Sequence, residues 1–139
     1  MSNEYEEDDF LALKVVMMPR DTNPHGTIFG GVLLSYIDQA GAVGARQSIR
    51  VRGWPIQGLV TVAMNAVEFK DPVFVGDTVS FVTRPIRWGR TSITMQVRVL
   101  ADRIEQATEL TAAQVTYVAV DLKRDRQQPI PLDPDVTSS

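Results

Sequence analysis

Apolar residues recur at helical spacing through residues 30–48, at Val32, Leu33, Leu34, Ile37, Ala40, Val43 and Ala45, and no proline interrupts them. The pattern predicts one long helix. Elsewhere the pattern is extended. Residues 10–18 form a short apolar run stopped by Pro19, which reads as a largely buried first strand. Residues 59–69, 78–88, 91–100 and 109–121 are further strands, the third of them alternating through Ile93, Met95, Val97 and Val99. Turn formers separate these elements. Asp21, Thr22, Asn23, Pro24 and Gly26 crowd the loop before the helix, Gly53 and Pro55 end it, and Trp88-Gly89-Arg90 is a tight hairpin. Asp71-Pro72 and Gly76-Asp77 bracket a short link between strands 59–69 and 78–88, which are therefore expected to be antiparallel neighbours. The expected architecture is α+β, with one antiparallel sheet wrapped around one helix. Such a helix leaves little internal room, so a binding site forms more easily between subunits.

Composition narrows the function. The 139 residues suit a single domain, divided as an acidic flexible leader (1–9), a folded domain (10–126) and a loose, proline-containing tail (127–139). The net charge of -3 argues against nucleic acid as a partner. Without cysteine there is no disulfide, thiol nucleophile or zinc-thiolate site, and with His25 as the single histidine no metal site is expected. The acidic start is unlike a secretory signal, and no apolar run reaches the roughly 20 residues that span a bilayer. A cytoplasmic protein without membrane partners is the expectation.

Two features carry chemistry. The segment Asn23-Pro24-His25-Gly26-Thr27-Ile28-Phe29-Gly30-Gly31 runs into the helix start, where unpaired amides and the positive end of the dipole collect. Gly30 and Gly31 let an outside atom approach those amides closely, although a bare Gly-Gly also serves as a simple capping turn. Asp38 is an acid within the apolar helix, on a stripe with Gly31, Leu34, Ser35, Gly41, Ala42 and Ala45 whose small residues leave a groove. The groove suits either a ligand or another helix. A carboxylate near polarising amides is suited to acyl transfer, as general base or as nucleophile. Asp38 lies roughly 12 Å along the helix from Gly30, too far for both to act on one carbonyl carbon, so two shared sites per twofold dimer are expected. Asn23 brings both an amide donor and a carbonyl acceptor, while His25 reads as a loop residue flanking the site. Arg84, Arg87, Arg90 and Lys70, with the turn Gly89-Arg90-Thr91-Ser92, read either as a phosphate-binding cluster or as a solvated basic surface.

Pro19 through Gly31, followed by Ser35-Tyr36-Ile37-Asp38, resembles the signature of YciA-type and brain-type cytosolic acyl-CoA hydrolases. The resemblance continues through Phe69, Pro72, Val75-Gly76-Asp77 and Gly89-Arg90-Thr91-Ser92 to Tyr117-Val118-Ala119-Val120-Asp121. It implies a hotdog fold, a homodimer with its helices back to back, and commonly a trimer of dimers. It also implies an acyl-CoA thioesterase with Asp38 as catalytic carboxylate, Asn23 as its partner from the other subunit, and a Gly30 or Gly31 amide polarising the carbonyl. Gly89, Arg90, Thr91 and Ser92 would contact coenzyme A, which enters as part of the substrate; no separate cofactor is implied. The competing expectation is an acyl-CoA-binding regulatory protein without turnover.

Overall fold

The computed structural model describes residues 8–55, 58–103, 107–123 and 128–135. In chain order these form β1 (Phe10–Val16), a 3-10 turn (Pro19–Asp21), α1 (Gly30–Val51), β2 (Gly58–Phe69), β3 (Thr78–Trp88), β4 (Ser92–Asp102) and β5 (Ala107–Val120). The strands make one antiparallel sheet in the order β1-β3-β4-β5-β2, wrapped on α1. This is the α+β arrangement that the hydrophobic pattern predicts.

The helix runs a turn beyond its last predicted residue and stops where Gly53 adopts a positive φ of 77°. There the amides of Gly53 and Trp54 return to the carbonyls of Arg50 and Ile49, closing the last turn. Leu33, Ile37, Ala40, Gly41, Gly44, Ala45 and Ile49 form its buried face. They pack on the inward residues of the sheet, including Val79 and Phe81 of β3, Ile93, Met95, Val97 and Val99 of β4, and Val115 and Tyr117 of β5. Full burial of each large aliphatic side chain is worth about 1.5–3 kcal/mol. Two glycines set how close the helix comes. A Cβ at Gly41 would lie 2.2 Å from the Tyr117 hydroxyl, and one at Gly44 would lie 2.1 Å from Thr83 Oγ1. The small-residue stripe is therefore split: Gly41 and Ala45 seat the helix on the sheet, and only its other members remain to line a groove.

The expectation that strands 59–69 and 78–88 are neighbours is wrong. β3 has β1 and β4 at its sides, while β2 pairs with β5 at the far edge. Their connection is no hairpin: its start bonds to Leu110 O through the Lys70 amide, Val73 is buried and accepts from the Ile28 amide, and the Gly76 amide reaches Met17 O. These bonds carry the chain across one end of the sheet. β2 itself is irregular, with register breaks and Ala66 at a φ of 52°.

The ends are more ordered than expected where they are described. Asp9 has a side chain only 3% exposed, beside Arg98 and Arg84. In the segment expected to be loose, the Ile130 amide bonds to Ala119 O, the Leu132 amide to Arg90 O, and Leu132 is buried. Residues 1–7, 127 and 136–139 lie outside the described part.

Candidate active site

The loop before α1 is built around Asn23. Its Oδ1 accepts from the amides of His25 at 2.8 Å and Thr27 at 3.2 Å, while its Nδ2 donates to Thr27 Oγ1 at 2.8 Å. Both acceptor positions of the carbonyl oxygen are thereby occupied, and one amide hydrogen is left over. His25 is exposed and contributes its backbone amide to this turn. The loop leads to Phe29, which caps α1 without a side-chain hydrogen bond. Among the described residues the amides of Gly30 and Gly31 donate to no acceptor. They form the positive end of a 22-residue helix. Gly31 is exposed with open space at its Cβ position, and Gly30 faces the Phe69 ring. A cleft of about 360 Å³ opens here, lined by Thr27, Gly30, Leu33, Phe69, Asp71 and Val73 among others.

Further along α1, the Asp38 carboxylate is held from the sheet. Thr61 Oγ1 of β2 donates to Asp38 Oδ1 at 2.7 Å. The Tyr117 hydroxyl of β5 donates to the Asp38 backbone carbonyl at 2.6 Å and also lies 3.3 Å from Oδ1. Thr61 and Tyr117 are directly opposite each other in the β2–β5 ladder, so one cross-strand pair grips one carboxylate oxygen. Asp38 Oδ2 has no hydrogen bond among the described residues. Burial, then the negative charge of Asp38 and the hydrogen bond to it, push the Tyr117 hydroxyl far above its ordinary range. It remains protonated and acts as a donor. Thr61 and Tyr117 were not singled out in the sequence reading of the site. Strand alternation puts Tyr117 on the inner face, but no local signal says which helical residue it meets.

The basic residues near the hairpin separate. Arg84 bonds to Gln96 and pairs with Asp9. Lys70 pairs with Glu109 at the opposite end of the sheet: Phe69 faces Thr111 of β5 while Ser92 faces Val118, about 23 Å apart at about 3.3 Å per residue. Lys70 is therefore not part of a cluster with Arg90. Trp88 packs edge-on against Trp54 and lies under the Arg52 guanidinium, 3.7 Å from its ring centroid. Gly89-Arg90-Thr91-Ser92 makes the β3–β4 turn, closed by the Gly89 amide to Ser92 O, with Arg90 exposed and in no ion pair among the described residues.

One helix in the curve of a five-stranded antiparallel sheet is the hotdog architecture, and here it carries a sheet-held acid on the helix and free amides at its start. Residues 25–108 match the model of the thioesterase superfamily, and the chain belongs to that family. It is 36% identical to the acyl-CoA thioester hydrolase YciA of Salmonella typhimurium over 127 residues, covering 88% of this chain and 90% of that protein. The crystal structure of a hexameric hotdog fold thioesterase of Campylobacter jejuni superposes with a TM-score of 0.75 at 42% identity, covering 86% of this chain and 89% of that one. A hexameric broad specificity acyl-coenzyme A thioesterase gives a TM-score of 0.78 at 30% identity, over 96% and 87% of the two chains.

Proposed function

We propose that this chain hydrolyses acyl-CoA thioesters to a carboxylic acid and coenzyme A, at sites shared between two subunits. The observation that carries the reading is the state of Asp38: Oδ1 is held by Thr61 and Tyr117, and Oδ2 is left for chemistry. In the reaction water adds its oxygen to the acyl carbon, the carbon–sulfur bond breaks, and the thiol departs with a proton. Asp38 acts either by taking a proton from the water or by attacking the acyl carbon first, with water then cleaving the anhydride. The free amides of Gly30 and Gly31 stabilise the negative charge that develops on the thioester oxygen. A thiol with a pKa of about 8.5 is a good leaving group, so one carboxylate and no strong general acid suffice.

Asn23 enters this site from the second subunit. Because its Oδ1 already accepts two amides, its role is that of a donor through the remaining amide hydrogen, toward the thioester oxygen or the attacking water. The dimer is supported by the exposed edge strand β2, where Val60 and Val62 are 41% and 55% exposed, and a trimer of dimers by the hexameric thioesterases that the chain resembles. The turn Gly89-Arg90-Thr91-Ser92, exposed at Gly89 and Arg90, receives the coenzyme A portion, with the Arg90 side chain on a phosphate. Coenzyme A comes and goes with the substrate, and the reaction consumes only water. A cytoplasmic location belongs to the same proposal and is checked by cell fractionation; among the described residues no helix is long and apolar enough to cross a membrane.

The test is thiol release from acyl-CoAs of graded chain length, for the wild type and Asp38→Asn. Asparagine keeps an oxygen for the Thr61 and Tyr117 hydroxyls, so the fold and assembly should persist while turnover falls about 10²–10⁴-fold. Binding of every acyl-CoA with no turnover by the wild type would instead establish a binding protein.

A further inference from the structure

Tyr117 stands on the inner face of β5 and is 1% exposed, among the largest buried side chains of the protein. For packing alone, phenylalanine would fill that space without bringing a hydroxyl that needs a partner. The hydroxyl points into the helix, and it gets there because residue 41 is glycine. A Cβ at that position would stand 2.2 Å from the hydroxyl oxygen and 3.1 Å from two ring carbons. Glycine in mid-helix is, after proline, the poorest helix former. The chain thus carries a helix-weakening residue and a buried hydroxyl at one point, and both bear on residue 38. The hydroxyl lies 2.6 Å from the Asp38 carbonyl and 3.3 Å from its Oδ1, so its single proton chiefly pins the helix backbone at the residue that bears the carboxylate. Thr61, opposite Tyr117 in the ladder, supplies the main hydrogen bond to Oδ1.

We propose that Tyr117 is a positioning residue for Asp38: its hydroxyl, admitted by Gly41, fixes the helical turn that carries the carboxylate and, with Thr61, occupies Oδ1 so that Oδ2 alone faces the substrate. This rests on the reading of Asp38 as the carboxylate of thioester hydrolysis. The pairing of a glycine on α1 with a tyrosine on β5 is then a device for aiming an acid from behind. Its effect falls on the chemical step and leaves substrate binding nearly untouched.

The experiment compares the full-length wild type, Tyr117→Phe, Gly41→Ala and the double variant. It measures kcat and KM on one well-hydrolysed acyl-CoA, together with assembly size and urea midpoint. Tyr117→Phe is expected to lower kcat about 10-fold, the loss of roughly one hydrogen bond, with KM within about twofold and assembly unchanged. Gly41→Ala in the tyrosine background should lose at least as much kcat, because the methyl displaces the hydroxyl. In the phenylalanine background the same change should cost clearly less, since the 2.2 Å conflict is gone. A Tyr117→Phe protein with kcat within twofold of the wild type overturns the proposal. So does a loss of kcat that only tracks the fraction unfolded in both variants. A wild type inactive on every acyl-CoA overturns the hydrolase reading and this proposal together, whereas an active wild type with an unaffected Tyr117→Phe overturns this proposal alone.

Discussion

The Asn23 side chain finds its partners within four residues, whereas the Asp38 carboxylate is held from 23 and 79 positions away. The loop at residues 22–28 is a local structure, closed on itself by the Thr22–Ile28 bridge and the Asn23 turn. The Asp38 grip is a tertiary structure, made when β2 and β5 pair in one register. A slip of one residue there would turn Thr61 or Tyr117 to the other face of the sheet. The Asn23 side chain of the proposed site is thus held within its own loop, which Phe74 and Val73 tie to the rest of the fold at Thr27 and Ile28, and the carboxylate half depends on the whole sheet. In the proposed function the two halves of one site come from different subunits, because Gly30 and Asp38 stand roughly 12 Å apart along α1.

The sharpest way to break this comparison is to mix subunits. Asp38→Asn and Asn23→Ala are each expected to be nearly inactive, since each spoils both sites of its dimer. Unfolded and reassembled together in equal amounts, about half the dimers are mixed, and each mixed dimer has one intact site of two, giving about a quarter of wild-type turnover. Recovery at that level places Asn23 and Asp38 in opposite subunits. Turnover that stays at the level of the separate variants would mean that both residues of a site belong to one chain.

Single substitutions sharpen the same contrast at a smaller scale. Thr61→Val removes the 2.7 Å bond to Asp38 Oδ1 from an exposed position. Loss of a hydrogen bond to a charged group is worth about 1.5–3 kcal/mol, which predicts a fall in kcat of about 10–100-fold with the urea midpoint nearly unchanged. Asn23→Asp keeps an oxygen for the amides of His25 and Thr27 but removes the amide hydrogens. It should preserve the loop and still lower kcat by a comparable factor, separating Asn23 the donor from Asn23 the loop builder. Wild-type kcat in Asn23→Asp would leave Asn23 with the structural role only.

The elements with local signatures were legible in the sequence. Helical spacing through Val32, Ile37, Ala40 and Ala45 marked α1, and the alternation Ile93, Met95, Val97, Val99 marked β4, because burial of one face imposes those periods. The Asn23 loop and the glycines after it were marked by turn chemistry and by family resemblance. What failed was long-range order. Residues 70–77 look like a short link between neighbours, and only the bonds to Leu110, Ile28 and Met17 show that they cross the sheet's end. For the same reason Asp38 stood out as a costly acid in an apolar helix, while the hydroxyls that make it tolerable stayed hidden among ordinary strand residues. Gly41 was noticed as a gap in a groove, and it is instead filled by Tyr117.

A third polar cluster, at the end of the sheet away from the β3–β4 turn, supplies the control for the comparison. Glu109 Oε1 accepts from Arg98 Nε at 2.8 Å, and its Oε2 pairs with Lys70. Burial pushes this carboxyl up, but hydrogen bonds from Lys70 and Arg98 outweigh burial and hold it below the ordinary 4.5. A carboxyl depressed in the folded state stabilises the fold above the unfolded value, and that contribution is lost as pH falls through the folded value. Glu109→Gln should therefore cost about 1.5–3 kcal/mol at pH 7, the scale for hydrogen bonds to a charged group. The difference from the wild type should begin to shrink as the pH falls below about 4.5 and vanish below the lowered folded value, where both proteins carry a neutral side chain. Urea unfolding of both proteins at pH 7 and in that acid range, at one protomer concentration so that subunit dissociation contributes equally, measures it. Because Glu109 touches neither Asn23 nor Asp38, kcat at pH 7 should stay within about twofold of the wild type; a larger loss would mean that the carboxylate half of the site extends along β5 to its first residues, well past Tyr117.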